Sequence, residues 1–255
     1  MKKVKIISGW SNPGGSTLHH IGLTNLFNDK GYDCTFYGPH EYHLKKCKSG
    51  TLADLRIEKD DIIISHFLPF SSRPDCKQHI LSLHETSLFP INKIKLDGVY
   101  DGIQYVSNHQ RRWHNVLFNH VIIPPRVDRI AWSKPSELVV GVIGSIDQHK
   151  QPHIAVMDAL EEGYKVKLFG KITDRAYYEK ALKPLLCDKV SLSYAENKTQ
   201  MYNQVQEVYH SSKYETYGLV EAECKLAGIP FRGSKFDPVI WSDEEIFERW
   251  NEILI

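Results

Sequence analysis

Two carboxylates bracket a glycine turn in the segment HSSKYETYGLVEAECKLAGIP, residues 210 to 230. Glu215 precedes Gly218, and Glu223 follows it within a run where Leu219, Ala222, Leu226 and Ala227 recur at helical spacing and stop at Gly228 and Pro230. The apolar, β-prone run QEVYHSS lies just before, so the order is strand, loop, helix. The start of such a helix presents unpaired N–H groups and the positive end of a dipole, which suits a diphosphate held by Tyr217, Gly218 and Leu219. The two acids suit hydrogen bonds from sugar hydroxyls. As an isolated pair they would read as solvated charges at a helix start, so the rest of the chain has to decide.

Four further segments carry residue types fit for the same chemistry. GVIGSIDQHKQPHIAV ends a strand with a loop holding Gly144, Ser145 and Lys150, ahead of a helix near Pro152. A lysine delivered from such a loop can neutralise a leaving diphosphate, whereas taken alone it is a solvated surface lysine. SNPGGSTLHHIGL sets Gly14 and Gly15 between a first strand and a helix capped by Ser16 or Thr17. The glycine pair permits close backbone approach to a ligand, but it is not the G-x-G-x-x-G fingerprint of dinucleotide enzymes. DIIISHFLPF and HILSLHETSLFP put His66 and His84 at the carboxyl ends of consecutive strands, where ligands gather in open α/β sheets. Two histidines do not make a metal site, and the five scattered cysteines contain no C-x-x-C pair, so neither zinc nor a disulfide framework is expected.

These segments need a scaffold, and the apolar runs supply one. VKIIS, CTFYG, DIIIS, HILSLH, DGIQYVS and HVIIPP read as strands in the first half, with a helix over 16–30. ELVVGVIGS, KVKLFG, VSLSYA and QEVYHSS continue in the second, separated by helices near 152–162, 174–186 and 198–205. Short apolar strands spaced by helical lengths imply parallel sheets with right-handed crossovers, and two such series imply two Rossmann-like domains. We expect residues 1–134 and 135–241 as the two, with SKPSE at 133–137 as linker. The final stretch, WSDEEIFERWNEILI, is expected as a helix over 242–255, capped by Ser242 or Asp243 with Ile246, Phe247, Trp250 and Ile253 on one face.

Composition bounds the class. At 255 residues with 42% hydrophobic and 25% charged residues, the chain is long enough for real cores and ordinary for a globular protein. No apolar run reaches the roughly 20 residues of a membrane span, and the start MKKVKIISGW lacks a signal peptide's features, so a cytoplasmic protein is expected. The net charge of +1 conceals an asymmetry: residues 1–134 hold 18 Lys and Arg against 12 Asp and Glu, and ten of the thirteen histidines. With Arg111 and Arg112 as its densest basic spot, that half suits an anionic partner.

Taken together, Ser212, Glu215, Tyr217, Gly218, Glu223, Ala227, Gly228 and Pro230 resemble the signature of the family four retaining GT-B glycosyltransferases. In that family Ser-x-x-Glu-x-Phe-Gly leads to a second Glu and then to Ala-x-Gly-x-Pro. Tyr217 replaces the usual Phe, and Cys224 with Lys225 replaces Ala-Met. In the family's Gly-Arg-x-x-x-x-Lys loop Ser145 stands where the Arg would be, while Lys150 keeps its spacing; Pro125 and Arg126 replace an Asn-Gly turn. The resemblance implies an α/β GT-B fold whose two Rossmann-like domains, with parallel sheets, face an interdomain cleft, with the C-terminal helix crossing back onto the first. It also implies retaining, metal-independent transfer of a hexose from a nucleotide-diphosphate sugar, most simply a UDP-sugar, with no cofactor beyond that cosubstrate. Glu223 would accept the ribose hydroxyls, while Glu215 and the amides of Tyr217, Gly218 and Leu219 would hold hexose and phosphate. Lys150 would stabilise the leaving diphosphate, joined by Gly144, Ser145 and the Gly15 loop, with Lys171 or Arg175 standing in for the absent Arg. His84 would orient the transferred sugar, and His66, Arg111 and Arg112 would belong to the acceptor side. The acceptor would be a lipid-linked saccharide, a polysaccharide, modified DNA or a small alcohol, and peripheral contact with a membrane is compatible with the basic half.

Two other classes fit parts of the sequence. GVIGS could open an NAD-binding Rossmann domain, although the glycine fingerprint and its ribose-binding acid are incomplete. A noncatalytic sugar-nucleotide or nucleic-acid binding protein on the same fold is the other, made thinkable by Ser145.

Overall fold

The structure is a computed structural model that describes residues 1–10, 14–85, 91–114 and 116–255. Its chain divides into two compact units, Met1–Arg126 with Val239–Ile255, and Val127–Pro238. Ile130 and Trp132 pack into the core of the second unit, and Trp132 Nε1 donates to the Val205 carbonyl at 3.2 Å. The segment ahead of the expected linker therefore already belongs to unit 2.

Unit 1 is built on a seven-stranded sheet. Its strands are β1 (Lys3–Ser8), β2 (Asp33–Gly38), β3 (Ser49–Thr51), β4 (Ile62–His66), β5 (Gln78–Leu83), β6 (Gly102–Tyr105) and β7 (His120–Ile122), in the order β3-β2-β1-β4-β5-β6-β7. Every pairing is parallel. A parallel sheet is covered on both faces, which is why β4 and β5 are buried along their whole lengths and read as continuous apolar runs. On one face Val4, Ile6, Ile62 and Ile64 meet Leu23, Leu26 and Phe27 of α1 (Gly15–Asp29). On the other lie Leu81, Leu83, Val99, Ile103 and Tyr105. α2 (Asn108–His114) follows β6.

Unit 2 is a smaller parallel sheet of β8 (Val139–Ile143), β9 (Lys165–Phe169), β10 (Val190–Leu192), β11 (Glu207–His210) and β12 (Phe231–Gly233), ordered β10-β9-β8-β11-β12. Its helices are α3 (Pro152–Glu161), α4 (Arg175–Tyr177), α5 (Lys198–Tyr202) and α6 (Leu219–Ala227). α4 runs on as a π-helical Tyr178–Leu182 and a 3-10 turn Lys183–Leu185, where Pro184 ends it. α7 (Asp243–Ile253) returns to unit 1, laying Ile246 and Trp250, followed by Leu254, into its core. Its cap is Ser242, paired with Glu245 in a reciprocal capping box.

The start of α1 departs from expectation. The helix begins at Gly15 with extended Gly14 as N-cap and no side-chain cap, rather than behind Ser16 or Thr17. Thr17 is fully buried and turns its hydroxyl toward the Trp10 carbonyl at 3.3 Å, so it is lost to capping.

Candidate functional site

In each sheet the strand order reverses at one point, between β1 and β4 and between β8 and β11. Side chains from the carboxyl ends of such strand pairs converge on one place. In unit 2, β8 is followed by Gly144, whose φ of +142° needs glycine, and passes into a loop pinned by Asp147. One Asp147 oxygen accepts from the backbone N–H of His149 (3.0 Å) and Lys150 (2.9 Å), the other from Ser145 Oγ (2.6 Å) and Thr173 Oγ1 (2.9 Å). Burial pushes this carboxyl up, but the hydrogen bonds outweigh it and its pKa is lowered. The fixed loop aims Lys150 at Glu215.

Glu215 is the centre of the arrangement. Its Oε1 accepts from Lys150 Nζ and lies 3.3 Å from Nε2 of His210, the last residue of β11. Burial alone would raise its pKa; the His210 hydrogen bond and the Lys150 charge more than offset that and hold it at about 2. Nδ1 of His210 is buried without a hydrogen-bond partner among the described residues. Gly144, Ser145, Lys150, His210 and Ser211 line a small pocket at this point. Just beyond Glu215, Gly218 takes a left-handed φ of +87° and opens α6 at Leu219. A side chain there would meet Phe236 Cβ at 3.2 Å in a conformation that already strains it. Tyr217 is buried, with its phenol pKa raised by burial.

Glu223 lies one turn into α6 and is 2% exposed. Its Oε2 accepts from Tyr202 (2.6 Å) and its Oε1 from Lys198, which also pairs with Asp128 at 2.7 Å. Burial lowers and these two acids raise the Lys198 pKa, which ends above its ordinary value. Both Glu223 oxygens are thus engaged from within the protein, and any ligand hydroxyl would share them. Of the suggested stand-ins for the missing Arg, Arg175 is largely exposed and paired with Glu179 at 2.5 Å, while the backbone of Lys171 lies beside the loop, its carbonyl accepting from Ile146 N–H.

In unit 1 the expected residues gather at the carboxyl edge of the sheet. His66, opposite Ser8 in the β1/β4 register, has Nδ1 2.8 Å from Ser8 Oγ and Nε2 2.8 Å from Glu85 Oε1. His84 follows β5, half-buried, its ring 5.3 Å from that of His66. Gly15 is the first residue of α1, while residues 11–13 of its loop lie outside the described residues. Arg111 and Arg112 sit on α2. Arg126 is committed elsewhere, forming a two-pronged bridge to Asp243 at 2.7 and 2.8 Å.

Sequence reasoning passed over four residues that the structure brings into these sites. Asp147, two residues after Ser145, has the spacing by which a short acid pins a turn. His210 ends its strand as His66 and His84 end or follow theirs. For His19 and His20 the available signal is a His-His pair just after a glycine turn.

No family model and no curated protein sequence matches this chain. Solved structures do. TarM superposes with a TM-score of 0.69 at 11% identity, over 100% of this chain and 91% of that one. A glycosyltransferase from Rickettsia africae ESF-5 gives 0.67 at 12% identity, over 91% and 79%. An alpha-glucosyltransferase, solved with UDP and a 13-mer DNA containing a central A:G mismatch, gives 0.62 at 12% identity, over 98% and 88%. With two parallel α/β sheets, and with these similarities running along nearly its whole length, this chain has the GT-B fold.

Proposed function

We propose that this chain is a glycosyltransferase that moves a hexose from a nucleotide-diphosphate donor, a UDP-sugar first among them, to an acceptor hydroxyl with retention of configuration. The observation that carries the reading is the convergence of Lys150 and His210 on Glu215 at the β8/β11 reversal, beside the left-handed Gly218 that opens α6. Lys150 is the cation for the leaving diphosphate, with its loop already fixed by Asp147, so little reorganisation is needed as charge develops. Glu215 pairs with Lys150 in the free protein and, with the amides at the start of α6, takes the hexose and phosphate. Glu223 shares its oxygens with the ribose. Ser145, whose hydroxyl is held by Asp147, stands where an Arg would otherwise add charge, and we assign that share to Lys150 and the backbone amides. No carboxylate base is required at the acceptor, because its proton passes to the leaving phosphate on the same face, and the sequence offers no Asp-x-Asp motif to hold a divalent ion on the diphosphate.

His84 and His66 are proposed to face the transferred sugar and its acceptor, with Arg111 and Arg112 adding positive charge for an anionic acceptor. The alpha-glucosyltransferase of similar fold was solved with UDP and DNA, which supports UDP as the first donor nucleotide to test. Thermal shift with UDP-, GDP-, ADP- and TDP-sugars is the experiment: a true donor raises the melting temperature in proportion to RT ln(1 + [L]/Kd). Absence of a shift with all four sinks the donor site. A shift without either donor hydrolysis or transfer would instead make the chain a noncatalytic binder.

A further inference from the structure

Four histidine rings meet at the carboxyl edge of the unit 1 sheet, two from α1 and two from the ends of β4 and β5. Ring centroids are 5.1 Å apart for His19 and His20, 4.8 Å for His19 and His84, and 4.9 Å for His20 and His84, with His66 4.7 Å from His20. His19 and His20 are 4% and 0% exposed. Among the described residues, both nitrogens of His19, Nδ1 of His20 and Nε2 of His84 are buried without a hydrogen-bond partner. Native interiors rarely leave so many polar atoms unpaired in one place, and each such group calls for an explanation. Histidines that served only as aromatic filling would carry that penalty with nothing to offset it.

The surroundings resemble those of a ligand set. His20 Nε2 lies 3.1 Å from Ser82 Oγ, whose own proton goes to Gln104 Oε1 at 2.7 Å, and the Gln104 amide donates to the Ile123 carbonyl at 2.6 Å. Along that relay Nε2 is the protonated nitrogen, which leaves Nδ1 with the lone pair. Outer hydrogen bonds of this kind fix the tautomer of metal-binding histidines. The charge of a bound cation also has a counterpart nearby. Glu85 places one oxygen on His66 Nε2 and the other on the His84 N–H at 3.0 Å.

We propose that His19, His20 and His84 bind one divalent ion of the late first transition series, with zinc, copper, nickel and cobalt as the class. One nitrogen from each lies within 4.8 Å of the others. Tetrahedral binding at about 2.0–2.1 Å per nitrogen brings such atoms to roughly 3.4 Å apart, a closure that side-chain rotation covers. All-imidazole ligation selects against magnesium and calcium, which take oxygen ligands. The site lies within unit 1 and shares His84 with the sugar-facing residues proposed above, but its test reads metal uptake and not transfer.

The test is titration of the chelator-treated full chain with Co²⁺, followed by visible absorption. One equivalent should bind with the strong bands of tetrahedral cobalt, and zinc should bleach them. The double variant His19→Gln, His84→Gln should lose the bands while keeping its circular dichroism, and His109→Gln, outside the cluster, should keep them. If the double variant does not fold, the single half-buried change His84→Asn gives the same comparison. No cobalt uptake by the wild type, a pale octahedral spectrum, or bands that survive in the variants would each overturn the site.

Discussion

Replacing Glu215 by Gln removes a charge while leaving the shape of the side chain intact. Its carboxyl is only 13% exposed and its pKa is held at about 2 against an ordinary 4.5. A shift of that size, at about 1.4 kcal/mol per pKa unit, couples the carboxylate to its partners by about 3 kcal/mol as an order of magnitude. Part of this returns in the variant, because Lys150 is 25% exposed and can turn toward water, and an amide oxygen can still accept from His210. The expected loss is therefore about 2 kcal/mol at neutral pH. Its pH dependence identifies the cause. A carboxyl whose pKa is lower folded than unfolded contributes fully above its unfolded value and loses that contribution as pH falls through the folded one. Glutamine does not titrate, so the two stability curves should run parallel above about pH 5 and converge toward about pH 2. Urea unfolding of both proteins across that range, followed by circular dichroism, measures the gap. A gap independent of pH, or one below about 0.5 kcal/mol at neutral pH as for an exposed ion pair, would refute the coupling.

Lys150→Ala should lower kcat by about 100-fold with a smaller change in donor affinity, since a cation on the leaving group acts mainly in the transition state; steady-state kinetics with equal kcat would move the role elsewhere. Glu223→Ala should weaken binding of free nucleotide by about 1.5–3 kcal/mol in calorimetry, and also lower stability because Tyr202 loses its acceptor; unchanged affinity in a folded variant would confine Glu223 to structure. Turnover should be the same with magnesium as with EDTA, and a requirement for added magnesium or manganese would contradict diphosphate binding by Lys150 and backbone amides alone. Affinity for an anionic acceptor should fall steeply with salt, less so in Arg111→Ala with Arg112→Ala, while donor affinity stays nearly level; flat dependence in both proteins would favour a neutral acceptor.

The sheets were legible because a parallel strand is buried on both faces and so becomes an unbroken apolar run, as in DIIIS before His66. The short edge strands were not. Ser49–Thr51 is SGT and Phe231–Gly233 is FRG, segments too polar or too brief to carry a period. α2 escaped for a related reason: NHQRRWH has no apolar stripe, and it is fixed instead by the Gln110 N–H on Ser107 Oγ and by the Gln110 side chain on the carbonyls of Leu83 and Glu85. At the site, the spacing of Glu215, Gly218 and Glu223 was visible because a loop followed by a helix start has a local pattern. The ties of Glu223 to Lys198 and Tyr202, and of Lys150 to Glu215, join residues far apart in sequence, and nothing in either neighbourhood announces the partner. Asp147 was within reach, since a turn-pinning acid acts over two or three residues.

The chain leaves unit 1 at Arg126 and re-enters it at Val239, and the Arg126–Asp243 bridge ties the two crossing points together. Unit 2 is thus an insertion within unit 1, and a ribosome delivers the whole of it before α7 emerges. Residues 127–238 can collapse on their own core as soon as they leave the tunnel, whereas Val4, Phe27 and Ile62 wait for Ile246 and Trp250. Until then the nascent chain carries an uncovered apolar face, which makes the interval before α7 emerges a vulnerable one and the natural moment for a chaperone to hold it.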